Sequence, residues 1–90
     1  MAKGFIYFAV CDVLGVVKIG YTGDPKTRLS NIQTGCPFPV RLAVTIPGTR
    51  IEERLIQKTL HQFRIQREWY WLNDTVQKVI DAAKRQAETV

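Results

Sequence analysis

The sequence predicts an α+β fold in which helices pack on a small antiparallel sheet. Three observations carry that reading. Two runs of β-branched and aromatic residues, 5–11 and 16–21, lie close enough in the chain to pair as neighbours. Two helix-entry signals, Asp24-Pro25 and Thr49 with Glu52, leave room for a strand between them. Ninety residues, 46% of them hydrophobic and 23% charged, suffice for one core and not for two, so a single domain over 1–90 is expected.

Residues 5–11 form a continuous apolar run and read as a buried strand. Asp12 to Gly15 is a tight connection, and 16–21 is a second strand, antiparallel to the first. Asp24 caps a helix with Pro25 at its first position. That helix should run to Gln33 or Thr34 and stop at Gly35, since Pro37 and Pro39 bar continuation. Residues 40–46 alternate as a third strand, with Pro47-Gly48 as a turn. Thr49 and Glu52 form a capping box that opens a second helix. Its apolar positions Ile51, Leu55, Ile56, Thr59, Leu60 and Phe63 recur at three- and four-residue spacing, and it should end near Gln66 or Arg67. Residues 68–72 look extended, with Trp69 assigned to the core and Trp71 left open. Asn73 or Asp74 then caps a final helix that buries Val76, Val79, Ile80 and Ala83 and frays after Gln86. The expected order is ββαβα, a short strand, then α.

Several classes are excluded. The longest apolar stretches, 5–11 and 13–17, fall far short of the ~20 residues of a membrane-spanning helix, so no membrane partner is expected. Met1-Ala2-Lys3 precedes an apolar run but no small-residue cleavage site follows, and Asp12 and Lys18 interrupt the run. No secretion signal is therefore expected, and a cytoplasmic location is. Two cysteines, Cys11 and Cys36, with His61 as the sole histidine make neither a disulfide framework nor a zinc site. They read as reduced packing residues. Thirteen Lys and Arg against eight Asp and Glu give a net charge of +5, which favours an acidic partner, most commonly nucleic acid.

Ile6-Tyr7 in the first strand, Lys18-Ile19-Gly20-Tyr21-Thr22 in the second and Arg28 on the first helix occur in that order. Pro47-Gly48-Thr49, Glu53, Arg64 and Glu68-Trp69-Tyr70 follow them. In this the chain, from Gly4 to about Leu72, resembles the GIY-YIG nuclease superfamily, in the branch that holds phage DNA-binding domains and the meiotically up-regulated group. The resemblance implies a three-stranded antiparallel sheet flanked by helices. It also implies a DNA endonuclease that hydrolyses phosphodiester bonds with one divalent metal, Mg²⁺ or Mn²⁺. Lys18 departs from the superfamily pattern, standing where the second motif has a tyrosine. Asn73 is the only asparagine after Glu53 for the late asparagine of many catalytic members.

The residue types suit that chemistry. Phosphodiester hydrolysis needs an activated water, positive charge on the phosphoryl oxygens and help for the leaving alkoxide. Glu53 is the metal-ligand candidate and Arg28 the phosphate contact. Tyr7 with Lys18 would activate water, supported by Tyr21. Arg50, Arg54 and Lys58 recur every four residues as a cationic stripe on the second helix, and with Lys26 and Arg64 they are the DNA-binding candidates. On the residues alone each has a plainer role as well. Tyr7 could be a core tyrosine, Glu53 a solvated neighbour of Glu52, and Arg28 a partner for Asp24 across one turn. Trp69, Tyr70 and Trp71 could stack bases of a single strand. The alternative to an enzyme is a catalytically inactive DNA-binding module serving as a phage or bacterial accessory factor, and a second copy or protein partner stays open.

Overall fold

The first hairpin organises the rest of the computed structural model, which describes residues 4–88. The strands β1 (Gly4–Cys11) and β2 (Val16–Thr22) pair antiparallel with Tyr7 opposite Gly20 and Ala9 opposite Lys18. The connection closes at Gly15, which lies at φ 66° and whose N–H donates to the Cys11 carbonyl at 3.0 Å. Nearly every residue of β1 is buried, on both faces, as befits a central strand covered above and below. Residues 1–3, on which the reading of a missing secretion signal partly rests, lie outside the described residues.

Three further strands complete the sheet. β3 (Arg41–Gly48) pairs with β1, β5 (Trp69–Trp71) pairs with β2, and β4 (Arg64–Gln66) pairs with β5, all antiparallel. The spatial order is β3-β1-β2-β5-β4. The α+β class with helices flanking an antiparallel sheet holds, but the sheet has five strands rather than three. Pro47-Gly48, expected as a turn, extends β3 opposite Phe5 and Gly4. Proline is tolerated there because β3 is an outer strand, whose second edge needs no N–H donor.

Helices cover both faces. Under α1 (Pro25–Thr34) lie Tyr7, Ala9 and Cys11, packed with Leu29, Ile32, Cys36, Val40 and Leu42. The opposite face, with Ile6, Phe8, Val10, Val17, Ile19, Val44, Ile46 and Tyr70, packs against Leu60 and against Val76, Ile80 and Ala83 of α3 (Asp74–Glu88). Asp24 caps α1 as expected, accepting from the Thr27 N–H and hydroxyl. The capping box of Thr49 and Glu52 opens α2 (Arg50–Thr59). Cys11 and Cys36 are free thiols within one cluster.

The second helix departs most from expectation. It ends at Thr59 rather than near Gln66, gives way to a 3₁₀ turn at His61–Phe63, and leaves 64–66 to β4. Strand pairing with β5 outweighs the helical periodicity of the sequence there. Its inward face also differs. Ile51 and Leu55 are exposed, at 69% and 59%, whereas Glu53 is buried. The helix lies along the edge of β2 rather than flat on the sheet, which turns the Glu53–Gln57–Leu60 side inward. Trp69 is half-buried rather than central, and Tyr70 fills the core position beside it. Asn73 caps α3, with the Val76 N–H donating to its Oδ1 at 2.9 Å. Asn73→Ala should therefore lower stability by about 1 kcal/mol in urea unfolding with an unchanged m-value, and do nothing to any activity of the domain.

Candidate functional site

The open part of the β2 edge is where the polar residues gather. β5 pairs with β2 only along 16–18, and one more hydrogen bond, from the Ile19 N–H to the Glu68 carbonyl at 3.0 Å, ends the contact. The Ile19 carbonyl is met instead by α2, where Gln57 Nε2 donates to it at 2.9 Å. Further back along α2, the Arg50 guanidinium lies 5.0 Å over the ring of Tyr21. Glu53 is thus set between these two anchor points, beside the stretch of β2 that β5 leaves free.

Tyr7 reaches this place across Gly20. A Cβ at Gly20 would overlap the Tyr7 hydroxyl and ring carbons, so the phenol lies directly on the glycine backbone. Burial is the main reason its pKa is pushed up to about 12; the charges of Glu68 and Glu53 add to this and Arg28 opposes them. Two carboxylates and a guanidinium, from α2, the β4–β5 turn and α1, therefore act on the phenol of β1. Lys18, on the same sheet face as Tyr7, pairs with Glu68 at 3.4 Å and lies 5.5 Å from the Trp69 ring centroid. Arg28 is exposed, and among the described residues it makes no ion pair with Asp24, whose carboxylate is occupied by Thr27.

Glu53 is the anomaly of the fold. It is 3% exposed, and no protein group among the described residues donates to its Oε2. Burial raises its pKa above the ordinary 4.5, Glu68 adds to the rise, and Arg50 and Arg54 oppose it. Tyr70 is raised in the same way, first by burial. A buried, unpartnered carboxylate oxygen is a hard anionic donor of the kind that Mg²⁺ or Mn²⁺ takes. No group of three or more His, Cys, Asp or Glu gathers among the described residues. Among the described residues Glu53 is the one that would hold such an ion.

Beside Glu53, between α2 and the β4–β5 hairpin, runs a cleft of about 630 Å³. Lys18, Arg54, Lys58, Arg64 and Arg67 line it, with Glu68 the sole carboxylate among the lining residues. Such a wall concentrates anions. Arg67 occupies the hairpin turn at φ 52°, a left-handed conformation in which glycine is favoured, and its carbonyl accepts from Arg64 Nε.

The charges of Glu53, Glu68 and Arg28 act on Tyr7, Lys18 pairs with Glu68, and Lys18, Arg54, Lys58 and Arg64 line the cleft. Three candidates, Tyr21, Arg50 and Lys26, stand apart; Arg50 lies over the Tyr21 ring and does not line the cleft. Tyr21 points to the opposite sheet face, over Gly4 and under Arg50, because it sits one residue from Gly20 on an alternating strand. Lys26 lines a separate shallow groove with Ser30, Gln33 and Thr34. Glu68, noted in the sequence only as part of Glu68-Trp69-Tyr70, was given no role in the site, and Arg67 was not singled out. The signal that could have found them is a two-residue hairpin turn without glycine.

These features define a small α+β domain with a buried acid at the sheet edge and a cationic cleft beside it. A family model for the T5orf172 domain matches residues 4–87, and the chain belongs to that family. This corrects the resemblance to the GIY-YIG nucleases drawn from the short motifs. No curated protein and no solved structure matches the chain.

Two outcomes follow from the geometry. Gly20→Ala should displace the Tyr7 ring and cost about 1–3 kcal/mol in denaturant unfolding. For Glu53 the raised pKa favours the folded state below pH 4.5, and that contribution is lost as pH rises through the elevated value. Glu53→Gln should then stabilise the domain at pH 7, seen as a raised Tm, with the gain vanishing near pH 4.

Proposed function

We propose that this domain binds DNA and hydrolyses its phosphodiester bonds with the help of Mg²⁺ or Mn²⁺. One observation carries the reading: the buried Glu53 carboxylate, its Oε2 unpartnered, feels the charges of Arg54 and Glu68, which line a cleft with five cations. A surface built only to hold phosphate gains nothing from a buried anion, which repels the ligand and costs folding free energy. A divalent cation held by Glu53 would offset both penalties.

The metal, when bound, supplies Lewis-acid stabilisation of the phosphoryl oxygens and lowers the pKa of a bound water. The chain's own residues do the rest. Glu53 would hold the ion, and Arg28 would donate to a non-bridging phosphate oxygen. Tyr7, with its pKa pushed up to about 12, keeps its proton at neutral pH and acts as a hydroxyl donor rather than as a base. Lys18, paired with Glu68, contributes charge to the phosphate, and Glu68 is the carboxylate placed to accept the proton of the attacking water. Arg54, Lys58 and Arg64 bind the flanking backbone. The absence of any helix long and apolar enough to cross a membrane among the described residues, together with two free thiols, suits work in the cytoplasm.

A second reading, DNA binding without turnover, is favoured by one specific observation: Lys18 is tied to Glu68 rather than free. Plasmid and single-stranded DNA incubated with the protein, with and without Mg²⁺, separate the two. We expect cleavage that requires the metal and is lost in Glu53→Ala by at least about a hundredfold. Salt-sensitive binding that ignores both metal and Glu53→Gln, with no cleavage, would establish the inactive module instead.

A further inference from the structure

The β4–β5 hairpin stands between two clefts, the cationic one on the α2 side and a second on the α1 side whose lining includes Lys18 and Arg28. On the α1 side a second groove, of about 640 Å³, is walled by Leu14, Val16, Ile32, Pro37, Ile65 and Trp69. Its surface is mainly apolar, and Leu14 and Ile65 are exposed at 49% and 43%. The polar groups along it are the side-chain amides of Asn31 and Gln66 and two cations, Lys18 and Arg28. No carboxylate belongs to its lining. One wall is held rigid by Gln33, whose Nε2 donates to the carbonyls of Cys36 at 3.2 Å and Phe38 at 2.9 Å. Its Oε1 accepts from the Val40 N–H at 2.8 Å.

We propose that this groove receives an unpaired nucleobase of the strand whose phosphate lies in the cationic cleft. The inference rests on the nucleic-acid reading above and narrows it to a substrate class: single-stranded DNA, or a duplex with a base turned out of the stack. Lys18 lines both clefts, and Arg28 both lines the groove and acts on Tyr7. A ligand that fills both clefts must join an anionic part to a flat apolar part within one unit's width, which is the form of a nucleotide. The indole of Trp69 and the aliphatic side chains suit a base face, and the two amides suit a base edge. Two cations and no carboxylate discourage a basic peptide as occupant. Bases stacked inside a duplex cannot present their faces to such a groove, so the base must be unpaired.

Trp71→Phe, at a position 54% exposed, leaves Trp69 as the only tryptophan for fluorescence. This protein is titrated at low salt and in EDTA with a single-stranded oligothymidylate decamer. A decamer of equal phosphate charge whose sugars lack bases serves as the comparison. The thymidylate strand should quench Trp69 and bind about tenfold more tightly than the abasic strand. Ile65→Ser, a neutral change at an exposed site, should erase that difference while leaving the abasic affinity within about twofold. Equal, salt-dependent binding of both strands overturns the base groove and leaves the nucleic-acid reading standing. If neither strand binds, both readings are overturned. Equal binding together with a concentration-dependent dimer that Ile65→Ser dissolves overturns the proposal in favour of a second copy of the chain.

Discussion

The incomplete cover of β2 is the constraint on which the site depends. A strand in mid-sheet ordinarily has both edges satisfied along its length, but β5 is three residues long and reaches only Lys18. The chain resolves the remainder in two ways. The Ile19 carbonyl is satisfied by the Gln57 amide, which pins α2 to the strand edge, and the Gly20 backbone is overlaid by the Tyr7 ring. A longer β5 would satisfy more backbone and close the place where Glu53, Tyr7 and Glu68 meet. Sheet regularity is given up where side-chain chemistry is gained.

The electrostatics follow from that placement. Burial raises Tyr7, Glu53 and Tyr70 together, and Glu53 and Glu68 reinforce the rise, while the surrounding guanidinium groups oppose it. The domain therefore carries a region where negative charge is disfavoured by solvent exclusion yet surrounded by cations that attract anions. Such internal opposition is costly to folding and useful only when a ligand relieves it. Arg67 in a left-handed turn is a second local cost at the same place.

Much of the architecture was legible because its signals are local. Asp24 and Thr49 mark helix starts through capping chemistry, and the runs at 5–11 and 16–21 have no alternative to a buried hairpin. The end of α2 was not legible: Leu60, Phe63 and Gln66 continue a plausible helical pattern, and only pairing with β5 overrides it. Nor was the inward turn of Glu53, since apolar periodicity places Ile51 and Leu55 on the buried side and knows nothing of docking along a strand edge. In the site, Tyr7, Lys18, Arg28 and Glu53 were visible as residue types in order. Tyr21 misled because a sequence motif does not state which face of a strand a residue takes. The tripeptide Lys18-Ile19-Gly20 misled about family for a related reason: a glycine is required wherever a tyrosine ring must lie on the neighbouring strand, so the motif records packing as well as descent.

The outer strands carry a different consequence. Pro47 removes an amide from β3, the long outer strand, and Arg41 near its other end is engaged by Asp12 through two hydrogen bonds of 2.8 and 3.1 Å. At the far side β4 offers only three residues. Neither margin provides a long unbroken template for a foreign strand to join. Margins of this kind oppose edge-to-edge joining of copies at high concentration.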